Sequence, residues 1–246
     1  MKRMFIRISL AMSLMTSHAD DATNNPTKTN GATNSLPAIQ SYAAGGTPIA
    51  IPPPSTDLIE AGNDRGLMEL VCPPNNRLIA CFLPPSDLAS LKAGPQDDKI
   101  IARYGLVEVP RRGEYQDCSA SDFKGLSDGI KEQFGSIIGS SIKESEDIFN
   151  RRMKDLDVND AQISLGKPLQ LGCFFSKEDA CGFGMVTSVA MSGTTAKMGA
   201  AVVLVRVKDR VLFVYFYAEY KNEDTIKSLR TTSEKWADAI LKANKS

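Results

Sequence analysis

Apolar positions recur along the chain with two different periods, and the changes of period divide it into elements. Residues 67–71 and 78–83 are short apolar runs on either side of Cys72-Pro73-Pro74-Asn75-Asn76-Arg77, a turn-rich connection suited to a hairpin. A brief helix is predicted over residues 87–92, capped by Ser86. Residues 103–109 then read as a strand stopped by Pro110 and the Arg112-Gly113 turn.

Two helices are predicted next. Ser119-Ala120-Ser121-Asp122 offers a serine cap with an acid three residues on, and Phe123, Leu126, Ile130 and Phe134 recur at helical spacing. Ser141-Ile142-Lys143-Glu144 is a second capping box, opening a helix that carries Ile148, Phe149, Met153 and Leu156. Each has one apolar stripe, which calls for packing against a sheet or another helix.

The second half is mostly strand. Residues 169–175 and 182–191 flank the polar turn at 176–179, and residues 200–207 and 211–218 flank the two-residue turn Lys208-Asp209. In the last strand Phe213, Tyr215 and Tyr217 share one face with Val211, while Leu212, Val214, Phe216 and Ala218 share the other. Both faces are apolar. The strand is therefore expected at the centre of an antiparallel sheet with helices on each side. A terminal helix over 223–244 carries Ile226, Leu229, Trp236, Ile240 and Ala243 as its stripe.

This order of elements resembles the PsbP-like fold superfamily. The residues that carry the likeness are Ala201-Val202-Val203-Leu204-Val205-Arg206-Val207-Lys208-Asp209-Arg210-Val211-Leu212-Phe213-Val214-Tyr215 and the helix around Trp236, roughly a fifth of the chain. They form a pattern of apolarity and turns, so no functional residue is carried across. The resemblance implies an α+β fold, an antiparallel sheet sandwiched by helices, on a scaffold that mostly binds proteins.

The N-terminus changes the picture of where this domain works. Residues 1–19 have a basic start at Lys2 and Arg3, an apolar run over 4–15 broken by Arg7, and the small-residue site Ser17-His18-Ala19. They are read as a signal peptide cleaved after Ala19, giving an exported protein, periplasmic or secreted. No later segment approaches the roughly 20 apolar residues of a membrane span. Residues 20–56 are rich in Thr, Asn, Ala, Gly and Pro with few large apolar residues, and are read as a disordered leader. Residues 57–246 remain as a single α+β domain.

Composition then removes several chemistries. Cleavage would take three of the 29 bases and none of the 29 acids, leaving a net charge of about −3, without the basic footprint that nucleic acid demands. The only histidine, His18, would leave with the signal. Gly125-Leu126-Ser127-Asp128-Gly129 matches a nucleophile elbow, but it lies inside a helical stripe and has no histidine base. Gly182-Phe183-Gly184 begins like a dinucleotide loop and lacks the third glycine, and Asp155, Asp157, Asn159 and Asp160 lack the glycine and glutamate of a calcium loop. No catalytic, cofactor or metal residue is assigned.

Phe213, Tyr215 and Tyr217, with Tyr220 just beyond, are the candidate binding face, although alternating aromatics are also what a helix-covered sheet requires. The five cysteines suit export if they pair. Cys173 and Cys181 are symmetric about Lys177, so a loop Ser176-Lys177-Glu178 would set them opposite at about 4.5–5.5 Å between Cα atoms, within disulfide range. Cys72 and Cys81 oppose each other only if Asn75-Asn76-Arg77-Leu78 is the loop, and Cys118 is left over. The role expected is a non-catalytic protein-binding or assembly module of the cell envelope, without cofactor. A histidine-independent hydrolase or transferase and a carrier of a small apolar ligand are the alternatives.

Overall fold

A computed structural model describes residues 40–62, 68, 72–92, 100–155, 162–191 and 193–245. The expected signal peptide and the leader up to residue 39 lie outside the described residues, as do most of the run at 67–71 and the oxygen-rich run beyond Asp155. In chain order the strands are β1 (Gln40–Ala44), β2 (Thr47–Ile51), β3 (Ile59–Glu60), β4 (Asn76–Leu83) and β5 (Arg103–Pro110). They continue with β6 (Ile163–Leu165), β7 (Leu169–Ser176), β8 (Ala180–Met191), β9 (Thr194–Val207) and β10 (Arg210–Glu219). The helices are α1 (Pro85–Lys92), α2 (Ala120–Asp155) and α3 (Glu223–Ala243).

β3 to β10 form one antiparallel sheet in the order β3-β4-β5-β10-β9-β8-β6, with β7 pairing β8 further along the same edge. β10 is central, as its two apolar faces require. Lys208 and Asp209 take φ values of 48° and 59°, the left-handed pair that a two-residue hairpin turn needs. Phe213, Tyr215 and Tyr217 face α2, whose Phe123, Ile130, Phe134 and Ile138 are buried against them and their neighbours. Leu212, Val214 and Phe216 face α3, with its Leu229, Trp236, Ala237 and Ile240. The fold is thus an α+β sandwich. Among the described residues no helix is long and apolar enough to cross a membrane.

Trp236 organises the α3 face. Its ring lies on Gly105 of β5, where a Cβ would come within 2.8 Å of Cη2, and meets Phe82 edge-on at 5.6 Å. Its indole Nε1 donates to the Pro52 carbonyl at 2.8 Å, tying the chain after β2 to the core.

Three expectations are corrected. Residues 40–51 do not belong to a disordered leader: β1 and β2 form a hairpin that buries Ala44, Ile49 and Ile51 on the α3 face. Polar anchors hold it, among them Lys208 Nζ donating to the Pro48 carbonyl at 2.9 Å. Ala50 exchanges hydrogen bonds with the Asn244 side chain at 2.9 and 2.7 Å, and Arg77 pairs with Glu114 while donating to the Ala43 carbonyl at 2.7 Å. Gly45 then donates to Glu114 at 3.1 Å, and a Cβ there would strike the Glu114 carbonyl oxygen at 1.9 Å. The hairpin has few large apolar residues, which is why composition hid it.

The two predicted helices are one helix of 36 residues. No proline interrupts the junction, and Ser140 Oγ donates back to the Ser136 and Ile137 carbonyls at 3.2 and 3.0 Å, so the helix absorbs the hydroxyl.

The cysteine pairs are not formed: all five are free thiols. The β7–β8 turn spans Lys177–Ala180, closed by Lys177 N to Ala180 O, so its centre lies past Lys177, and an irregularity between Cys173 and Phe175 shifts the register by one. Cys173 therefore faces Phe183, and Cys181 faces Ser176. Cys81 lies in β4 opposite Leu106, while Cys72 precedes a turn in which Asn76 N donates to Pro73 O, so the predicted loop at 75–78 is absent.

This register has a direct chemical test. In native protein a thiol reagent should modify exposed Cys173 first and half-buried Cys118 more slowly, while Cys72, Cys81 and Cys181 react only after unfolding. Peptide mapping checks the order, and a Cys173–Cys181 cross-link would overturn the register.

Candidate binding groove

The aromatic face does not line a binding site. Phe213, Tyr215 and Tyr217 are fully buried beneath α2, with Tyr217 stacked on Tyr104 at 4.4 Å. Tyr220 parts from them: beyond the end of β10 its backbone N–H donates to the Lys197 carbonyl at 2.7 Å, and its half-buried side chain lines a surface groove.

Beside the buried tyrosines sits a polar cluster. Glu108 of β5 is on the α2 face and fully buried, and Asn76 Nδ2 donates to its Oε2 at 2.7 Å. Burial pushes the Glu108 carboxyl up to about 7, against the Asn76 hydrogen bond and the neighbouring Cys72 thiol, which hold it down. Burial, with Glu108 alongside, raises Cys72 far above the ordinary thiol range even though Arg111 and Arg152 lie near. Burial also raises Tyr215 and Tyr217 well above the phenol range. The thiol and phenols are therefore held in their protonated forms, the opposite of an activated nucleophile.

Ser127 is likewise unsuited to attack. It lies within α2, buried, with its hydroxyl on the Cys181 thiol, which burial pushes up to about 11. Lys124 and Lys131, the lysines nearest on the helix, both engage Asp128. Gly182 and Gly184 are strand residues whose missing side chains admit Phe175 and Phe174: a Cβ would meet those rings at 2.4 and 1.9 Å. That packing accounts for the dinucleotide-like spacing.

The groove of about 710 Å³ opens where the sheet outruns its cover. β6 and β7 occupy successive stretches of β8, and between them Gly166 N donates to Ser188 O at 2.8 Å while Thr187 Oγ1 donates to Gly166 O at 2.7 Å. Lys167 stands at this crossover. From it β7 projects Leu169 and Leu171 toward the groove, and Leu169 is 65% exposed. Val186 of β8 lies between the strands, and Ile226 and Lys227 enter from the first turns of α3. Asn222 fixes that helix start by accepting from the N–H groups of Asp224 and Thr225 at 3.0 and 3.3 Å.

The charge at the groove is uneven. Lys167, Lys197 and Lys227 border it with one acid, Glu223. Lys227 pairs with Asp224 at 2.8 Å, whereas Lys167 and Lys197 have no ion-pair partner among the described residues. A second groove, of about 680 Å³ at the β9–β10 turn, has a more even lining of bases and acids, several of them paired: Lys177 with Asp238, and Arg206 with Asp179 and Asp209.

Of the residues offered from sequence as a candidate binding face, only Tyr220 lines the first groove. Lys167, Leu169 and Leu171 carried a signal, two leucines at strand spacing behind a lysine. Lys197 and Ile226 reach them only through tertiary structure.

No protein-family model and no curated protein sequence matches the chain. Among solved structures, the chain is similar to the Saccharomyces cerevisiae Ran-binding protein Mog1p, with 10% identity over 84% of this chain and 95% of that one and a TM-score of 0.31. It is also similar to the cyanobacterial PsbP of Synechocystis sp. PCC 6803, with 14% identity over 86% and 97% and a TM-score of 0.32. Superpositions this loose carry no argument about function.

The buried carboxyl gives a pH dependence of known sign. Its folded value lies above the unfolded one near 4.5, so its contribution to stability is full below about 4.5 and is lost as the pH rises through about 7. The loss amounts to about 3 kcal/mol above that range. Glu108→Gln keeps an acceptor for Asn76 and removes the titration. Urea unfolding from pH 5 to 8 should show stability falling in the wild type and nearly flat in the variant, and parallel curves would refute the assignment.

Proposed function

We propose that the protein is exported and acts as a protein-binding module of the cell envelope, docking its partner at the groove beside β7. The observation that carries this is Leu169, a large aliphatic side chain left 65% exposed at the lip of a groove with further apolar lining from Leu171, Val186 and Ile226. Contiguous apolar surface with a polar border is the anatomy of a docking site. β7 also has no strand on its outer side among the described residues.

Export is supported by the basic, apolar and small-residue succession of residues 1–19. The buried thiols, phenols and Ser127, all held in unreactive forms, favour binding over nucleophilic chemistry.

Two measurements test the proposal. N-terminal sequencing of the protein expressed with its native start should give Asp20, and an intact Met1 would overturn export. Affinity capture from envelope extracts should retain partner proteins on the wild type and lose them on Leu169→Asp, a change at an exposed position that leaves the fold intact. Identical capture by both would overturn docking at this groove.

A further inference from the structure

We propose that the groove beside β7 takes an acidic, aliphatic segment of the partner chain, its aliphatic side chains on the apolar lining and its carboxylates on Lys167 and Lys197. This rests on the docking role proposed for the groove and adds the chemistry that selects the occupant.

Charge complementarity is the first argument. Lys167 and Lys197 are exposed, lie on opposite sides of the groove in sequence and topology, and have no ion-pair partner among the described residues. Lys167 sits in the crossover between β6 and β7, whereas Lys197 sits in β9 opposite Ser188. Together with Lys227 they outnumber Glu223 three to one in the lining. A neutral apolar segment would leave this field unused, and a basic one would be repelled by it.

The edge strand supplies the second argument. β7 is interrupted in register between Gln170 and Gly172 and again between Cys173 and Phe175. Such irregularities stop an arbitrary strand from pairing along the whole edge. Backbone pairing alone therefore gives little affinity here, and recognition falls to side chains: the leucines for burial, the lysines for sign. Phe174 and Phe175 are turned into the core and Gln170 lies against Gly135 of α2, so the groove side of the strand is where selective contact remains.

Exposed ion pairs contribute little singly. Two acting on one segment are expected to change affinity by about tenfold and to impose a clear salt dependence.

The test is selection from a phage-displayed library of random decapeptides on the immobilised full chain, followed by fluorescence anisotropy with the enriched peptide. The expected peptides are net negative and carry aliphatic residues. Their affinity should fall about tenfold on the doubly reversed Lys167→Glu/Lys197→Glu protein, fall again with added salt, and be lost on Leu169→Asp. Both variants change exposed side chains, and circular dichroism confirms that they fold. Neutral or basic peptides that are lost on Leu169→Asp but indifferent to the lysine reversals would overturn the charge selection and leave the docking role standing. No enrichment, or peptides that bind both variants as tightly as wild type, would overturn both.

Discussion

The structure depends on one constraint: the central strands β9 and β10 are apolar on both faces, so the sheet needs two covers. α2 supplies one with a single long stripe. The other is composite: α3 lies over β8 to β10 and reaches the β4–β5 side through Trp236, and the β1–β2 hairpin completes it. Trp236 joins the two parts, pressing on Gly105 and Phe82 while its indole nitrogen holds the chain after β2. Further polar anchors of the hairpin, Asn244, the Arg77–Glu114 pair and Lys208 on Pro48, act at the margins of that joint. Burial supplies the drive, and these few directional contacts decide where the pieces stop.

The sheet's centre was legible in the sequence because its signal is local. Alternation over 211–218, the Lys208-Asp209 turn and the stripe around Trp236 each lie within one short window. Features that depend on distant partners were not legible. The hairpin at 40–51 has only three fully buried apolar side chains, Ala44, Ile49 and Ile51, and is stable through residues up to 194 positions away. The Cys173–Cys181 register failed because the turn is centred between Glu178 and Asp179, not on Lys177, which already sets Ser176 against Cys181. Ser141 looked like a cap, yet a cap works only where the preceding turn unwinds, and nothing there forces it to. The aromatic triad offered as a candidate binding face is buried, because alternation along one strand does not say whether a helix covers it. The groove was missed because its lining is drawn from a crossover, three strands, the residue after β10 and a helix start.

The location of the groove follows from how thoroughly the interior is filled. Phe174 and Phe175 occupy the space over Gly184 and Gly182, Tyr104 and Tyr217 stack beneath α2, and Glu108 is enclosed with Asn76 and Cys72. Little room for a ligand remains between the layers at these points. At the β6–β7 crossover the sheet continues past the start of α3, and there apolar side chains lack a cover. Lysines ring this gap, which keeps the exposed aliphatics soluble and gives the opening a sign.

The hairpin's attachment also sets a timetable. Asn244, which clasps Ala50, and Trp236, which holds Pro52, lie 194 and 184 positions along the chain from the residues they hold. A chain made from its N-terminus therefore carries Ile49, Ile51 and the whole α3 face of the sheet without their lid until α3 itself has followed. During that interval the nascent chain is sticky along the surface that α3 will close, and closure is a late, concerted step in which both ends of the domain lock at once.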